Sequence, residues 1–487
     1  MSFISSSKWV LLGSSGQQGL GFLVFLLLSY ILVPEDFGVY ALALVVIETC
    51  NQLSRLGLSV ELISSRDDIE VKYTNAFWCS FMTGILLSGV IYITAAFWAS
   101  LLDTESLIFC LELLSVVPTL YALKCIPDAI LQREFRHKNM AIAELISLLI
   151  SSVVALSSVY FFELTVLALV LQKILFEVLL LVFLWLAISW RPSLQINFKL
   201  AKSQLKKGYP FIISNFITTA SYKSKDVFIG IVFGPVALGY FRLALKIQDM
   251  LNKVVLAPVT VVLLPYLAKT DRQDFNDALH RIIFITALLV VPMYMGMALI
   301  AKDLIEIVFS SQWQPAGELI VMLCVFGVAS LIFFMFKAIL GALGSGNFLI
   351  RVVLVYIFTL LAFMILFAQS DVLWVIYSDA LAVLLATVYG LFKVREVTGF
   401  SLRKIALNIT PIICVALMMM VSVIGIEKYL LLPFEMHLLL NIVIKVLVGF
   451  VSYILLFRLF YKEKIKNLIL PLLKGRSKIL FKGLLRY

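Results

Sequence analysis

The stretch PEDFGVYALALVVIETCNQL, residues Pro34–Leu53, decides the fold, because it opens a long apolar segment and then returns later in the chain. The stretch PVALGYFRLALKIQDMLNKV, residues Pro235–Val254, repeats it without a gap. The matched residues are Pro34 with Pro235, Gly38 with Gly239, Leu42–Leu44 with Leu243–Leu245, Glu48 with Asp249, and Asn51 with Asn252. This match predicts an internal repeat.

The composition is that of a membrane protein. The chain has 487 residues, of which 62% are hydrophobic and 14% charged, and its mean hydropathy is +1.05. Segments of about 20 apolar residues, long enough to cross about 30 Å of hydrocarbon as helices, recur along it. We therefore expect an all-α integral membrane protein with about 14 transmembrane helices. The expected spans are 9–32, 38–63, 77–99, 106–131, 140–161, 164–190, 209–233, 237–266, 280–301, 316–343, 348–368, 372–394, 404–425 and 437–460.

The position of the repeat predicts how these helices are organised. Its copies fall in helices 1–2 and 7–8, and since an even number of helices separates them, both copies run in the same direction across the membrane. A parallel repeat predicts two six-helix lobes related by an axis along the membrane normal, with a substrate path between them. The expected parts are an N-lobe at 1–190, an amphipathic cytoplasmic linker at 191–208, a C-lobe at 209–394, helices 13 and 14 at 395–461, and a basic tail at 462–487.

Lysine and arginine predict the orientation. They collect in alternate loops, and short loops rich in these residues stay in the cytoplasm, so both termini are expected there. The first span reads as a retained helix, with a removable leader as the alternative. The basic tail interleaves cations with apolar residues and is expected to lie on an anionic leaflet, which we favour over nucleic-acid binding.

Charged and polar side chains interrupt two equivalent spans. An ionised group at mid-bilayer costs roughly 2.5–3.5 kcal/mol on insertion scales, so it normally faces a bundle interior or a water-filled cavity. In helix 2 the stripe comprises Glu48, Asn51, Gln52 and Arg55, and in helix 8 it comprises Arg242, Lys246, Asp249 and Lys253. Their spacing puts each set on one helix face. We expect both stripes to line the cleft between the lobes.

Other spans carry charges, and bases outnumber acids in the set considered. The further embedded charges are Lys124, Asp128, Lys173, Glu177, Lys223, Lys225, Asp226, Lys337 and Lys445. A cavity with such a balance suits an anionic group such as a phosphate or a uronic acid. The predicted substrate-binding bases are Arg55, Lys124, Lys173, Lys223, Lys225, Arg242, Lys246, Lys253 and Lys337. The predicted coupling-ion or cavity acids are Glu48, Asp226 and Asp249, and the predicted polar cavity residues are Gln17, Asn51, Gln52 and Asn252.

Several of these charges have a structural alternative. Two lysine–acid pairs, Lys124 with Asp128 in helix 4 and Lys173 with Glu177 in helix 6, have the i, i+4 spacing at which two charges on one helix neutralise each other. Lys445 could pair with a neighbouring helix or bind a lipid headgroup, and Arg242 could snorkel outward. In helix 1, the segment Gly13–Gly21 contains Gln17 and is more typical of close helix packing than of ligand binding.

Several kinds of chemistry have no motif in the sequence. No G-x-x-x-x-G-K-[ST] occurs, so no ATP hydrolysis is expected. The six cysteines lie in apolar spans without a C-x-x-C and the three histidines are scattered, so neither a metal nor another cofactor is expected. No Ser/His/Asp or Cys/His set is visible. A secondary transporter fits better than an enzyme.

Four runs carry a family resemblance: LVPEDFGVYALAL at 32–44, SRLGLSVELISSRDD at 54–68, ILQREFRHKNMA at 130–141, and the segment 226–269 that begins DVFIGIVFGPVALGYF. They resemble the Wzx-type polysaccharide exporters of the multidrug/oligosaccharidyl-lipid/polysaccharide (MOP) superfamily, in the branch that includes colanic-acid exporters. The D-x-x-I-G pattern of that family is matched by Asp226, and its L-G-x-[YF] turn by Leu238, Gly239 and Phe241.

The resemblance implies a MATE-like pair of lobes that flips undecaprenyl-diphosphate-linked oligosaccharides from the cytoplasmic to the periplasmic leaflet of the bacterial inner membrane by alternating access. It implies a cationic cavity for the diphosphate and sugars, with the polyprenyl tail in lipid. A polysaccharide polymerase and a chain-length regulator are candidate partners. The alternatives are a multidrug or small-molecule cation antiporter of the same superfamily, which predicts an acidic cavity, and a glycan polymerase or ligase, which predicts a large extracytoplasmic loop.

Overall fold

Fifteen α-helices make up most of the chain that the computed structural model describes, namely residues 3–54, 58, 62, 69–194, 197–271, 274–343, 345–367, 371–431 and 437–469. The helices are α1 Phe3–Ser29, α2 Pro34–Ser54, α3 Ile69–Leu101, α4 Ser106–Leu114, α5 Val117–Arg133, α6 His137–Phe162, α7 Val166–Ala187, α8 Phe198–Lys269, α9 Phe275–Val308, α10 Gln314–Gly327, α11 Ser330–Ala342, α12 Gly346–Leu366, α13 Leu373–Thr398, α14 Leu402–Ile426 and α15 Leu438–Ile469. A 3₁₀ turn, Ser311–Trp313, precedes α10, and a π turn, Glu427–Leu431, follows α14. These ranges contain no strand, so the all-α prediction is confirmed.

The exact number of spans expected from the sequence is not confirmed. In the described ranges, 12 helices are long and apolar enough to cross a membrane, or 13 if the bent pair α10 and α11 forms one span, so the expected 14 are not confirmed. Expected spans 7 and 8 correspond to the two parts of α8, which is broken between them at Gly234, with φ 80° and ψ 177°. Only glycine adopts this conformation readily. Expected span 10 is divided into α10 and α11, which meet at 62°.

The chain divides into two compact units, Met1–Arg242 and Leu243–Tyr487. In the first, α2 is central, since it packs against α3, α4, α5 and α7. In the second, α9 has the corresponding place, since it packs against α10, α14 and α15. Each central helix therefore has several neighbours with which its polar side chains can pair.

The two copies of the repeat touch each other where α2 begins and where α8 resumes after Gly234. A β-carbon added to Gly38 would lie 1.8 Å from the carbonyl oxygen of Pro235, and one added to Gly239 would lie 1.9 Å from the carbonyl oxygen of Pro34. Non-bonded contacts of a real β-carbon are essentially never shorter than 3.0 Å. The matched glycines therefore let two backbones meet, and each contacts the proline of the other copy.

The segment that follows α7 is fastened to the first turns of α3. Three hydrogen bonds hold it: Trp78 Nε1 to Ser193 O (2.8 Å), Asn197 N to Asn75 Oδ1 (2.7 Å), and Gln204 Nε2 to Lys72 O (3.3 Å). The expected linker, 191–208, thus lies against α3 over much of its length, although residues 195 and 196 fall outside the described part. The basic tail lies outside it from residue 470 onward.

In the second unit, Lys445 ties the last helix to its neighbours. Its ammonium group, almost fully buried, donates to Asp303 Oδ2 of α9 at 2.6 Å and to Glu427 Oε1 at 2.7 Å. Of the two roles open to Lys445, pairing with a neighbouring helix is therefore the one observed.

We predict that Gly239→Ala destabilises the protein by about 1–3 kcal/mol or more, because the new methyl group must push the Pro34 carbonyl aside. Thermal unfolding of the detergent-purified protein, followed by tryptophan fluorescence, measures this. Gly89→Ala is the control, since nothing lies within 4 Å of a β-carbon at Gly89, and it should leave the melting temperature unchanged or slightly higher. Equal melting temperatures for both variants would contradict the close backbone contact.

We predict that Lys445→Met lowers the stability by roughly 2 kcal/mol, because Asp303 and Glu427 lose the donor that they share. The same melting experiment measures the loss. Adding Asp303→Asn and Glu427→Gln should restore much of it, since no charge is then left unpaired. A triple variant less stable than Lys445→Met would argue against the ion pair as the cause.

Candidate functional site

Three charged side chains meet between α5 and α7 in the first unit. Lys124 of α5 and Lys173 of α7 both donate to the carboxylate of Glu177 in α7, Lys173 to Oε1 at 2.9 Å and Lys124 to Oε2. Glu177 is 1% exposed and Lys124 7% exposed. The Lys124 ammonium also lies 4.3 Å from the centre of the Tyr121 ring. One buried carboxylate thus joins two lysines.

This geometry changes the interpretation of Lys124 and Asp128, the pair expected from the sequence in span 4 and found in α5. The sequence spacing offered Asp128 as the local partner of Lys124, whereas the structure joins Lys124 to Glu177 on another helix. The Asp128 carboxylate accepts a hydrogen bond from Gln132 Nε2 at 3.1 Å. The pair expected in span 6, Lys173 with Glu177, lies in α7 and is formed as its spacing predicts.

A second group of charges joins α2 to α8. The Lys223 ammonium lies 2.6 Å from Glu48 Oε2, and Arg242 Nη2 donates to Asp226 Oδ2 at 2.6 Å. Asp226 and Arg242 are both in α8, on either side of Gly234, so the chain turns back there and brings them together. A carboxylate again neutralises each cation.

The two groups are electrostatic neighbours. Glu48 interacts through space with Lys173 and Arg242, and the Tyr40 side chain of α2 lies among members of both groups. We call the seven charged residues the unit 1 charge network: Glu48, Lys124, Lys173, Glu177, Lys223, Asp226 and Arg242. Its exposed edge consists of side chains that retain 37%, 27% and 21% of their accessible surface, namely Glu48, Arg242 and Lys173.

Some buried polar atoms in this region have no hydrogen-bond partner among the described residues. They are Asn51 Oδ1, Asp226 Oδ1 and Arg242 Nε. Buried polar atoms normally find a partner, in the protein or in water. These atoms are therefore places where water or a ligand can bond.

The remaining predicted residues are distributed as follows. Lys225 is buried, while Gln17 and Gln52 are half-buried. Lys246, Asp249 and Lys253 are exposed in the second unit, where Asn252 Oδ1 accepts a hydrogen bond from the Tyr294 hydroxyl. Arg55 lies outside the described residues, and of Lys337 only the backbone, in α11, is described. The two predicted stripes thus fall in different units, apart from Arg242.

The side chains that the sequence reasoning missed are mostly acidic. Glu144 of α6 is an electrostatic neighbour of Asp128 and Lys124. In the second unit, Asp379 of α13 accepts a hydrogen bond from the Tyr356 hydroxyl at 2.7 Å. Both acids lie inside apolar spans, so the rule that identified the lysines would have found them. With them counted, bases predominate less than the sequence analysis assumed.

Metal chemistry was not expected. In the residues that the structure describes, no group of three or more His, Cys, Asp or Glu side chains is placed to hold a metal ion. All six cysteines are free thiols.

Curated relatives are named for polysaccharide assembly. The chain is 25% identical over 320 residues to the succinoglycan biosynthesis transport protein ExoT of Rhizobium meliloti, a match that covers 65% of this chain and 64% of that protein. It is 21% identical over 277 residues to the teichuronic acid biosynthesis protein TuaB of Bacillus subtilis, covering 56% and 57% of the two chains. The chain thus matches less than two thirds of the length of either relative.

Solved structures of similar fold include a flippase and a transporter of the MOP superfamily. The lipid II flippase MurJ in an inward closed conformation superposes with a TM-score of 0.75 at 15% identity, covering 93% of this chain and 99% of MurJ. An inward-facing multidrug resistance MATE transporter gives 0.62 at 16% identity, covering 79% and 96%. These likenesses establish the MATE-like fold. ExoT is named as a transport protein, MurJ as a flippase and the MATE protein as a transporter, which agrees with the expectation of a transporter rather than an enzyme.

The sequence profile that describes polysaccharide biosynthesis proteins matches residues 27–318. That range is more than half of the chain, and it includes the whole unit 1 charge network. It also agrees with the resemblance to polysaccharide exporters that the sequence motifs carried. This chain is therefore a multi-pass membrane protein that belongs to the polysaccharide biosynthesis protein family.

Proposed function

We propose that this protein flips undecaprenyl-diphosphate-linked oligosaccharide repeat units from the cytoplasmic to the periplasmic leaflet by alternating access, for assembly of an exopolysaccharide or an O-antigen-type polymer. The observation that carries the proposal is the unit 1 charge network, which holds four cations inside an apolar helical bundle. Membership of the polysaccharide biosynthesis family supports the same function.

The physical demand of such a substrate fits this arrangement. A diphosphate and several sugars cannot cross hydrocarbon unaided, whereas a polyprenyl chain is soluble in it. A protein that moves the pair needs a polar, partly dry path for the head and an open side for the tail. Cations in such a path attract phosphate strongly, because the low dielectric of the surroundings screens them little.

Within this proposal the predicted residues have distinct roles. The bases of the network, Lys124, Lys173, Lys223 and Arg242, contact the diphosphate. The acids Glu48 and Asp226 balance these bases between substrates or bind the coupling ion. The amides Asn51, Gln52 and Gln17 meet sugar hydroxyls. A second contact region in the other unit comprises Lys246, Asp249, Asn252 and Lys253, and further bases are Arg55, Lys225 and Lys337.

The proposed setting is the bacterial inner membrane, with both termini in the cytoplasm. The basis is the alternation of basic loops, which is the usual signature of short cytoplasmic loops. The division into two six-helix lobes, a linker, an appended helix pair and a basic tail stays a prediction. A polysaccharide polymerase and a chain-length regulator are the proposed protein partners.

One observation favours a second candidate, a MATE-like antiporter of small cations. The embedded acids Glu144 and Asp379 bring the balance of buried charge closer to neutrality, and an acid-lined path suits a cation. The MATE neighbour in fold is described as a multidrug resistance transporter. The two functions differ in the sign of the transported group, and this difference can be tested.

We predict that deleting the gene stops surface polysaccharide export and traps lipid-linked repeat units in the cytoplasmic leaflet, because the charged head cannot cross without the protein. Extraction of lipid-linked oligosaccharide, combined with periplasmic glycosidase accessibility in spheroplasts, measures the trapped fraction. The antiporter alternative predicts normal polymer levels and increased sensitivity to ethidium, and that outcome would overturn the proposal.

We predict that Lys246→Glu reduces polymer export by about tenfold or more, because a cation that meets the substrate is replaced by a repelling charge. Membrane abundance should stay normal, since the side chain is exposed. Polymer assay and immunoblotting measure the two quantities. Lys246→Arg should retain export, and Lys404→Glu, at another exposed lysine, is the charge-matched control. Normal export by Lys246→Glu would remove this residue from the proposed path.

A further inference from the structure

Lys124 and Lys173 already bind an anionic group of the protein itself, the carboxylate of Glu177. Each oxygen of the Glu177 carboxylate accepts a hydrogen bond from a different lysine, Oε1 from Lys173 and Oε2 from Lys124. Two ammonium groups that converge on two oxygens of one anionic group are also suited to a phosphate or a sugar carboxylate. Glu177 therefore occupies the position in which these lysines would bind such a group.

Burial indicates the direction from which an external anion would arrive. The Glu177 side chain is 2% exposed, whereas that of Lys173 keeps 21% of its surface. Lys124 lies deeper, with its ammonium group against the Tyr121 ring. An anion would meet Lys173 first and could reach Lys124 only if the Glu177 carboxylate gave way.

The neighbouring group follows the same pattern. Lys223 is bonded to Glu48 and Arg242 to Asp226, and Glu48 is the most exposed of these four side chains. Each of these cations thus carries an internal carboxylate partner. An anionic substrate that enters the network must exchange places with protein carboxylates, because these cations already have a partner.

We propose that Glu177 is an internal competitor of the substrate: its carboxylate occupies the Lys124–Lys173 anion site between transport events, and an anionic group of the substrate displaces it. This inference rests on the proposed function and adds a residue that sets affinity. The exchange keeps two unneutralised lysines from remaining buried when the site is empty. It also weakens substrate binding, so that the substrate can leave on the other side.

Binding measurements on the purified full-length protein test this exchange. The probes are farnesyl diphosphate, which represents the lipid diphosphate, and digalacturonic acid, which represents an acidic sugar. Calorimetry in detergent should find that Glu177→Gln binds at least one probe about 10- to 100-fold more tightly than the wild type, because the competing carboxylate is gone. Tightening for farnesyl diphosphate assigns the site to the diphosphate, and tightening for digalacturonic acid assigns it to a sugar.

A second pair of variants covers the case in which Glu177→Gln does not fold with two unneutralised lysines. Lys173→Gln keeps the pair between Lys124 and Glu177 and should bind the probes more weakly than the wild type. The double variant Lys173→Gln/Glu177→Gln loses one charge of each sign and should bind about tenfold more tightly than Lys173→Gln. If the folded Glu177 variants bind neither probe more tightly than their parents, the inference is overturned.

The control separates local competition from net charge. Glu396 forms an exposed pair with Lys393 in α13 at 2.9 Å, so Glu396→Gln removes the same charge far along the chain. Its affinity should equal that of the wild type, and tightening as large as that of Glu177→Gln would overturn the inference. Failure here leaves the proposed function intact, because that function is judged by wild-type export in cells.

Discussion

A charge inside a bundle this apolar needs an opposite charge within hydrogen-bond reach, and the first unit is arranged to meet that need. The central helix α2 contributes Glu48, and the helices around it contribute cations and acids that pair across helix boundaries. Each such pair offsets the cost of removing two ions from water only when its geometry is good. The packing of α2, α5, α7 and α8 and the placement of these charges therefore depend on each other.

Backbone contact at the two repeat glycines makes this arrangement possible. Because Gly38 and Gly239 have no side chain, α2 and α8 approach until each glycine meets a carbonyl of the other copy. On the part of α8 that precedes Gly234, Gly230 packs against Leu42 and Lys223 reaches Glu48. A wider separation of the two helices would leave the Glu48 carboxylate short of its partner. Small residues and ion pairs thus act together at one helix contact.

The sequence was sufficient for the fold class and for many of the embedded charges, because hydropathy and helical spacing are local properties. It was not sufficient for the partners. Lys124 and Glu177 are 53 residues apart, and Lys445 and Asp303 are 142 apart, whereas the spacing rules see only pairs within one helix. Counting acids such as Glu144 as carefully as lysines would have improved the predicted charge balance. The break in α8 at Gly234 was visible in the sequence, since the FGPVA segment is typical of a loop, but the pairing of Asp226 with Arg242 across that break was not.

The attachment of the segment after α7 has a consequence for how this protein can be divided. Its length and polarity resemble those of a flexible tether. However, Trp78 and Asn75 of α3 form hydrogen bonds with this segment, and Gln204 of the segment donates a hydrogen bond to the backbone of α3. Two co-expressed fragments with new ends between Ser193 and Asn197 would have to form these hydrogen bonds again in order to reassociate. Fragment complementation and reporter insertion are therefore better directed to other connections in the chain.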